Sequence, residues 1–460
     1  MQRTRATPMF PAARFLGPRA RLADRVIPAL FALFAFTSAA AGTASTAVTP
    51  ASVASPATAP VEAPAWPQIA SVRFEGNRVT REATMLREIP LVAGDVADPA
   101  AIDAGRQALL DLELFREVEA RTEPRDDGRV DLVYRVRERR YLLPIPRVDT
   151  SSDENLSYGL QLRWANVGGL NHRLNAFVER GTFPEDQRRR EERTVSLGYD
   201  APFLIRDRYD LHVDLEHLDR VTPRDGTTFD ERVRRAELLL TDDWRTGRPR
   251  DGWIVGAGLL LDDRELSGVA APPSDGFAAA VVGVATYSEE RYHVYSETGR
   301  RLKLRVESAS SALGSDYSYS RLTADWVHAT GLGEVDEHQT LRWLGSAGVV
   351  VAGRGNRDEF GLGGSGSLRG YPSDFLVGNR YAYGAVEYLR PIRWDWLRLL
   401  VVAEAGAADD DIAGLADGRP EASLGIGLRV RLPWFVGVEL EVGVAKPLSG
   451  GDVRVFAGGN

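Results

Sequence analysis

Residues 423–444 read SLGIGLRVRLPWFVGVELEVGV and contain two consecutive segments with a strict two-residue alternation. In the first segment every even position from Leu424 to Leu432 is apolar, and the positions between are serine, glycine or arginine. The second segment places Glu439 and Glu441 between valines and a leucine. A period of two is that of a β-strand with one apolar and one polar face.

The same alternation recurs from Tyr141 to the end of the chain, in about fifteen segments separated by turn-rich stretches. An apolar face suits lipid, and a charged or glycine-rich face suits a water-filled lumen, although a large soluble β protein can carry the same pattern. Bacterial membrane barrels have even strand numbers. We therefore expect about sixteen antiparallel strands, the segment at Tyr141 being one of them, with fourteen as the alternative. Aromatic residues recur near segment ends, as interface girdles do: Trp164, Tyr199, Trp253, Tyr287, Trp343, Tyr388 and Trp434.

The N-terminus has the order of a secretory signal peptide, which we predict to be residues 1–41. Six arginines precede the apolar run VIPALFALFAF, and small residues follow it. Residues 42–67 are rich in alanine and proline and are predicted to be a linker. No later stretch is long and apolar enough for a membrane helix, so any membrane-spanning part must be a closed barrel.

Composition disfavours several function classes. The chain has 57 basic and 65 acidic residues and a net charge of −8, so no affinity for nucleic acid is expected. It has no cysteine, which excludes thiolate metal sites and cysteine nucleophiles. His212 and His217 are five apart on a predicted strand and face opposite sides. We predict no catalytic residue, no metal site and no cofactor.

Residues 68–140 predict a small α+β domain in the order strand, helix, helix, strand, strand. The first strand ends at Gly76, and the last two strands flank a turn at Gly128. This domain precedes the predicted barrel of residues 141–460, so the expected fold is mainly β.

Gly361, Gly363 and Gly366 have the G-x-G-x-x-G spacing of a dinucleotide-binding turn. That motif requires a helix directly after it, and Gly370 and Pro372 break the chain too soon for one. A nucleotide site is therefore disfavoured.

The string GLGGSGSLRGY followed by NRYAYGAVEYLRPI resembles the signature of the BamA/TamA superfamily of outer-membrane assembly and translocation proteins. Leu368, Arg369, Gly370 and Tyr371 match the family's motif of apolar residue, arginine, glycine and aromatic. The segments FEGN, LELFREV and VYRVRER are similar to its periplasmic POTRA domain.

The resemblance implies that a loop, residues 353–379, folds back into the barrel lumen. A guanidinium there needs an acidic partner, because an unpaired buried charge is costly. In the family this partner is an acidic residue two positions before a glycine. The corresponding residues here are Glu404 and Gly406, with glutamate in place of the family's usual aspartate. We expect Arg369 to pair with Glu404.

The resemblance also implies a non-enzymatic function, the insertion or translocation of nascent polypeptides at the bacterial outer membrane. Expected partners are outer-membrane lipids and unfolded clients. A periplasmic or inner-membrane partner protein is also compatible with the resemblance. The POTRA edge would capture clients by strand addition, through Val130, Leu132, Tyr134 and Val136. The barrel seam would join a strand starting near Leu156 to the last strand. A pore dedicated to one secreted protein, a passive porin and an anchor that has lost its passenger remain alternatives.

Overall fold

The computed structural model describes residues 66–459 except 153–154, 186–187, 207, 225–226, 269–270, 272–274 and 352–359. The predicted signal peptide and all but the last two residues of the predicted linker lie outside the described residues. No helix within the described ranges is long and apolar enough to cross a membrane.

The first described unit is a small domain of three strands and two helices. Strand β1 (Ile69–Glu75) is followed by α1 (Glu82–Leu86), α2 (Pro99–Leu110), β2 (Phe115–Pro124) and β3 (Val130–Glu138). The predicted order of elements is confirmed. Helix α2 begins where the Asp98 side chain accepts a hydrogen bond from the backbone of Ala100, with proline at the first helical position. Its apolar side packs on the sheet through Leu109 and Leu110.

Strand β3 is the centre of this sheet, not its edge, so the predicted edge was wrong. The sheet order is β1-β3-β2, with β3 parallel to β1 and antiparallel to β2. A strand paired on both sides has no free backbone groups to offer to another chain. The four residues predicted to bind clients instead form part of the domain core: Val130, Leu132, Tyr134 and Val136.

The second unit is a closed antiparallel barrel. Two-residue β12 (Arg291–Tyr292) pairs only with β13, and β11 pairs directly with β13, so sixteen strands surround the lumen within the described ranges. The predicted number is confirmed. These strands are β4 (Leu142–Ser152), β5 (Asn155–Val167), β6 (His172–Glu185), β7 (Arg188–Ile205), β8 (Tyr209–Arg224), β9 (Thr227–Asp243), β10 (Gly252–Ser267), β11 (Gly276–Ser288), β13 (Glu297–Ala309), β14 (Tyr319–Gly331), β15 (Thr340–Val351), β18 (Arg380–Pro391), β19 (Leu397–Asp409), β20 (Glu421–Arg431), β21 (Glu439–Pro447) and β22 (Arg454–Gly459).

The alternation places apolar side chains outside and polar ones inside. On β20, Leu424 and Ile426 are each 51% exposed, whereas Ser423 and Arg429 are 1% and 3% exposed. A soluble protein would bury the apolar face. An exposed apolar belt around a polar interior is the arrangement of a membrane barrel.

The ring closes between β22 and β4, which we call the seam. The prediction that the first barrel strand starts near Leu156 was wrong, because β4 begins earlier, at Leu142. Strand β4 belongs to the segment at Tyr141 that was expected to complete the even number. Strand β22 has only six residues, so it offers few ladder hydrogen bonds to its neighbours.

The small domain docks on the barrel end from which β4 starts, which we call the proximal end. Its Thr84 hydroxyl donates to the carbonyl of Gly169, in the turn after β5, at 2.9 Å. The backbone amide of Arg140 donates to the carbonyl of Trp434, in the turn after β20, at 2.7 Å. The two units are therefore joined by contacts on both sides of β4, the first barrel strand, as well as by the chain itself.

Candidate functional site

The loop after β15 bends into the barrel, and we call residues 360–378 the lid. Its base is a hairpin of β16 (Phe360–Leu362) and β17 (Leu376–Gly378). Short helix α3 (Ile412–Asp417) lies in another loop at the same, distal end. The resemblance placed this loop at residues 353–379, of which 353–359 lie outside the described residues.

Arg369 at the lid tip binds inward-facing carboxylates from three barrel strands, an arrangement we call the clamp. Its Nη1 donates to Glu404 Oε2 on β19 at 3.0 Å, and its Nη2 donates to Glu387 Oε1 on β18 at 2.8 Å. Its Nε donates to Glu441 Oε1 on β21 at 2.9 Å. The structure thus brings together Arg369 and Glu404, the pair expected from the sequence, and adds two carboxylates to it.

Glu404 is nearly inaccessible and fully hydrogen-bonded. Besides the guanidinium, it accepts from the Arg369 backbone amide, from the Tyr383 hydroxyl at 3.0 Å and from the Ser423 hydroxyl at 2.6 Å. Arg369 is its only cationic partner within the described residues. A buried carboxylate is tolerated when its charge and its lone pairs are both satisfied. This carboxylate therefore depends on the lid.

The glycine of the motif lets the lid reach the wall. A Cβ atom on Gly370 would lie 2.7 Å from the Ser423 Cβ and 2.9 Å from the Pro447 backbone nitrogen. Any side chain would therefore push the lid away from β20 and β21. The Gly370 amide donates to the Ser423 hydroxyl at 3.3 Å.

The remaining motif residues anchor the lid on both sides of Arg369. Leu368 is completely buried and clusters with Leu362 and Tyr371. The Tyr371 hydroxyl donates to Glu421 Oε2 at 2.7 Å. Gly406, predicted from the family pattern, makes room for the lid, because a Cβ there would approach the Leu362 side chain to 3.0 Å.

The clamp also reaches the last strand. The Arg369 guanidinium carbon lies 5.5 Å from the centroid of the Phe456 ring on β22, within the range of a cation–π contact. Phe456 is buried and packs with inward residues of β18 and β19. One lid residue therefore contacts four strands, including the strand at the seam.

Sequence reasoning missed Glu387, Glu441, Arg429 and Phe456. Each was detectable by parity: Glu387 follows outward-facing Val386, and Glu441 lies between Leu440 and Val442 on the outer face. Arg429, on β20, forms ion pairs with two of the clamp carboxylates. Its Nη2 lies 3.0 Å from Glu387 and 2.5 Å from Glu441.

Comparison with known proteins places both units in described families. Residues 67–139 match the POTRA family, described as a surface antigen variable number repeat, and residues 166–452 match the Omp85 superfamily domain.

Solved structures that share the fold include the following three. BamA from Haemophilus ducreyi lacking POTRA domains 1–3 is 17% identical, with a TM-score of 0.51, over 86% of this chain and 84% of that one. CdiB from Acinetobacter baumannii is 15% identical, with a TM-score of 0.59, over 85% and 73%. CdiB from Escherichia coli is 12% identical, with a TM-score of 0.55, over 88% and 92%.

Proposed function

The chain belongs to the Omp85 superfamily, and from this premise we propose that it inserts or translocates polypeptide clients at the outer membrane without enzymatic chemistry. Family membership supports the coarse role of outer-membrane assembly or secretion-type translocation. It also supports a periplasmic POTRA domain, so the proximal end of the barrel faces the periplasm in this proposal. The outward apolar belt is consistent with a barrel embedded in lipid.

Clients bind the small domain at β2. This strand pairs with β3 on one side, and no other described strand pairs with its second side. The opposite edge, β1, has fewer free backbone groups. The Gly94 amide donates to the Ile69 carbonyl, and the Ile69 amide donates to the Asp95 carbonyl. Adding an extended segment to an edge strand gives affinity through backbone hydrogen bonds with little demand on the client's sequence.

The resting barrel is closed, and client passage requires the lid to leave its position beside the seam. The clamp is the single observation that carries this proposal, because it fixes a lumen loop to strands up to β22. Releasing Arg369 would remove one of the contacts that hold the short last strand in place. Opening between β22 and β4 would then expose strand edges on which a client barrel strand could pair. The free energy comes from client folding and apolar burial.

Photocrosslinking tests this function. A photoreactive residue at exposed Glu119 or Arg121 of β2 is expected to capture clients in cells, while the same residue at exposed Asp103 of α2 serves as the matched control. Captured proteins are identified by mass spectrometry. Several unrelated barrels would indicate general assembly, and one recurring secreted protein would indicate a dedicated pore. No β2-specific capture would contradict client binding and favour a porin or an anchor.

A further inference from the structure

A continuous series of ionic and aromatic contacts leads from the clamp to the small domain. We propose that docking of the lid and docking of the small domain are energetically coupled through the turn after β11, residues 289–296. Tyr292 in this turn is the positioning residue that joins the two.

The lumen part of the route consists of alternating arginines and glutamates. Arg429, which shares two carboxylates with Arg369, lies 3.4 Å from Glu439 through its Nε. Glu439 Oε2 accepts from Arg431 Nε at 2.8 Å, and Arg431 Nη2 donates in turn to Glu297 Oε1 at 2.9 Å. These groups lie in the lumen between the lid tip and the proximal end of β20 and β21.

The turn part of the route is the Tyr292 ring. The Arg431 guanidinium carbon lies 5.6 Å from the ring centroid, and that of Arg139, at the end of the small domain, lies 5.0 Å from it. Tyr292 is buried, and its hydroxyl donates to the carbonyl of Val294 at 2.9 Å. Two cations from different units therefore meet at one ring.

The small domain forms hydrogen bonds with both the backbone amide and the backbone carbonyl of Tyr292. Its amide donates to Asp111 Oδ1 at 2.9 Å, and its carbonyl accepts from Gln107 Nε2 at 3.0 Å. Gln107 lies in α2, and Asp111 is the first residue after this helix. Docking of α2 therefore helps to hold the ring over Arg431, in addition to the pairing of Tyr292 with Glu297 of β13.

Shared carboxylates make the route sensitive to either end. Glu439 serves Arg429 and Arg431 together, so a displacement of Arg431 changes the charge balance around Arg429 and hence around Glu387 and Glu441. Such networks respond more than a sum of independent pairs would. A coupling free energy between two sites acts equally in both directions. If β2 binds clients as proposed above, their pull on the domain would loosen the lid; the coupling itself does not depend on that function.

Hydrogen exchange of the full-length protein in detergent or lipid measures the coupling directly. In a Gln107→Ala/Asp111→Ala variant we expect the lid amides of residues 363–375 to exchange at least about fivefold faster, the lower end of measured site-to-site coupling. Thr84→Val is the matched control, because it removes a docking contact away from Tyr292. An unchanged lid in the double variant, or an equal change in the control, would overturn the route.

The reverse direction and the lumen end provide two further tests. Arg369→Ala should speed exchange at the Tyr292 amide, and protection equal to wild type would overturn reciprocity. If the double variant does not fold, Arg431→Met tests the same route from the lumen. It is expected to speed lid exchange as well, and an unaffected lid would overturn the proposal.

Discussion

Replacing Arg369 with alanine removes one cation from three carboxylates, but the cost is not shared equally. Glu387 and Glu441 keep Arg429 as a partner, whereas Glu404 keeps only uncharged donors, namely the backbone amide of residue 369 and the Tyr383 and Ser423 hydroxyls. Breaking a buried ion pair from one side costs about 3–5 kcal/mol, because the remaining charge is left uncompensated. We therefore expect the free energy of lid opening to fall by about 3–5 kcal/mol, which is more than a hundredfold in the opening equilibrium.

Glu404→Gln should cost much less, about 1–2 kcal/mol, because Arg369 keeps Glu387 and Glu441. The Tyr383 and Ser423 hydroxyls donate to different oxygens of Glu404, so the single amide oxygen of glutamine can still accept from one of them. The double variant should then be less destabilised than the sum of the two single variants, by at least about 1 kcal/mol.

Hydrogen exchange of the peptide covering residues 363–375 measures this opening free energy in the intact barrel. The Arg369 and Gly370 amides are bound to Glu404 and Ser423 and report on the clamp directly. Equal losses of protection in the two single variants, or strict additivity in the double variant, would refute the assignment of Glu404 as the carboxylate that depends on Arg369.

Three further predictions concern the lid glycine and the small domain. Gly370→Ala should destabilise the docked lid by about 1–3 kcal/mol, because its methyl group would overlap the Ser423 side chain; exchange of the lid amides checks this, and unchanged protection would contradict it. Leu132→Ala should lower the free energy of unfolding of the small domain by about 2–5 kcal/mol in denaturant titrations, as expected for a core residue, and a change below about 0.5 kcal/mol would point to a surface position. Burial raises the pKa of Glu138, but hydrogen bonds from Thr80 and neighbouring amides outweigh it and hold that pKa below its usual range. The stability from Glu138 is therefore complete above the ordinary carboxyl pKa of about 4.3 and lost as the pH falls through the lower folded value, so the wild type and Glu138→Gln should converge in acid and differ at neutral pH; a difference that does not change with pH would contradict this.

The periodic features of the fold were predictable from the sequence. A barrel strand carries its sidedness in its own alternation, so residues 423–431 specify which side chains face lipid without knowledge of any neighbour. The same parity gave the inward direction of Glu404. The four motif residues identified the tip of the lid, whereas the prediction that the loop folds into the lumen rested on family resemblance.

Strand order and shared contacts were not predictable in the same way. The position of β3 depends on β1 inserting beside it in parallel, and these strands are separated by two helices. Its run of three consecutive buried apolar residues, Leu132 to Tyr134, was a signal for a central strand, because an edge strand rarely buries both faces. The clamp has three carboxylates because closure of the barrel brings strands that are distant in sequence to one arginine. Local sequence does not encode this arrangement.

The central claim is that the lid must leave the seam for a client to pass. The chain has no cysteine, and a Cβ on Gly458 of β22 would lie 3.9 Å from the Ser365 Cβ of the lid, within disulfide range. A Ser365→Cys/Gly458→Cys variant can therefore be locked by oxidation and released by reduction. Client insertion or secretion should stop in the oxidised protein and recover on reduction, while each single cysteine variant stays active. Equal client processing in the oxidised and reduced double variant would contradict the account.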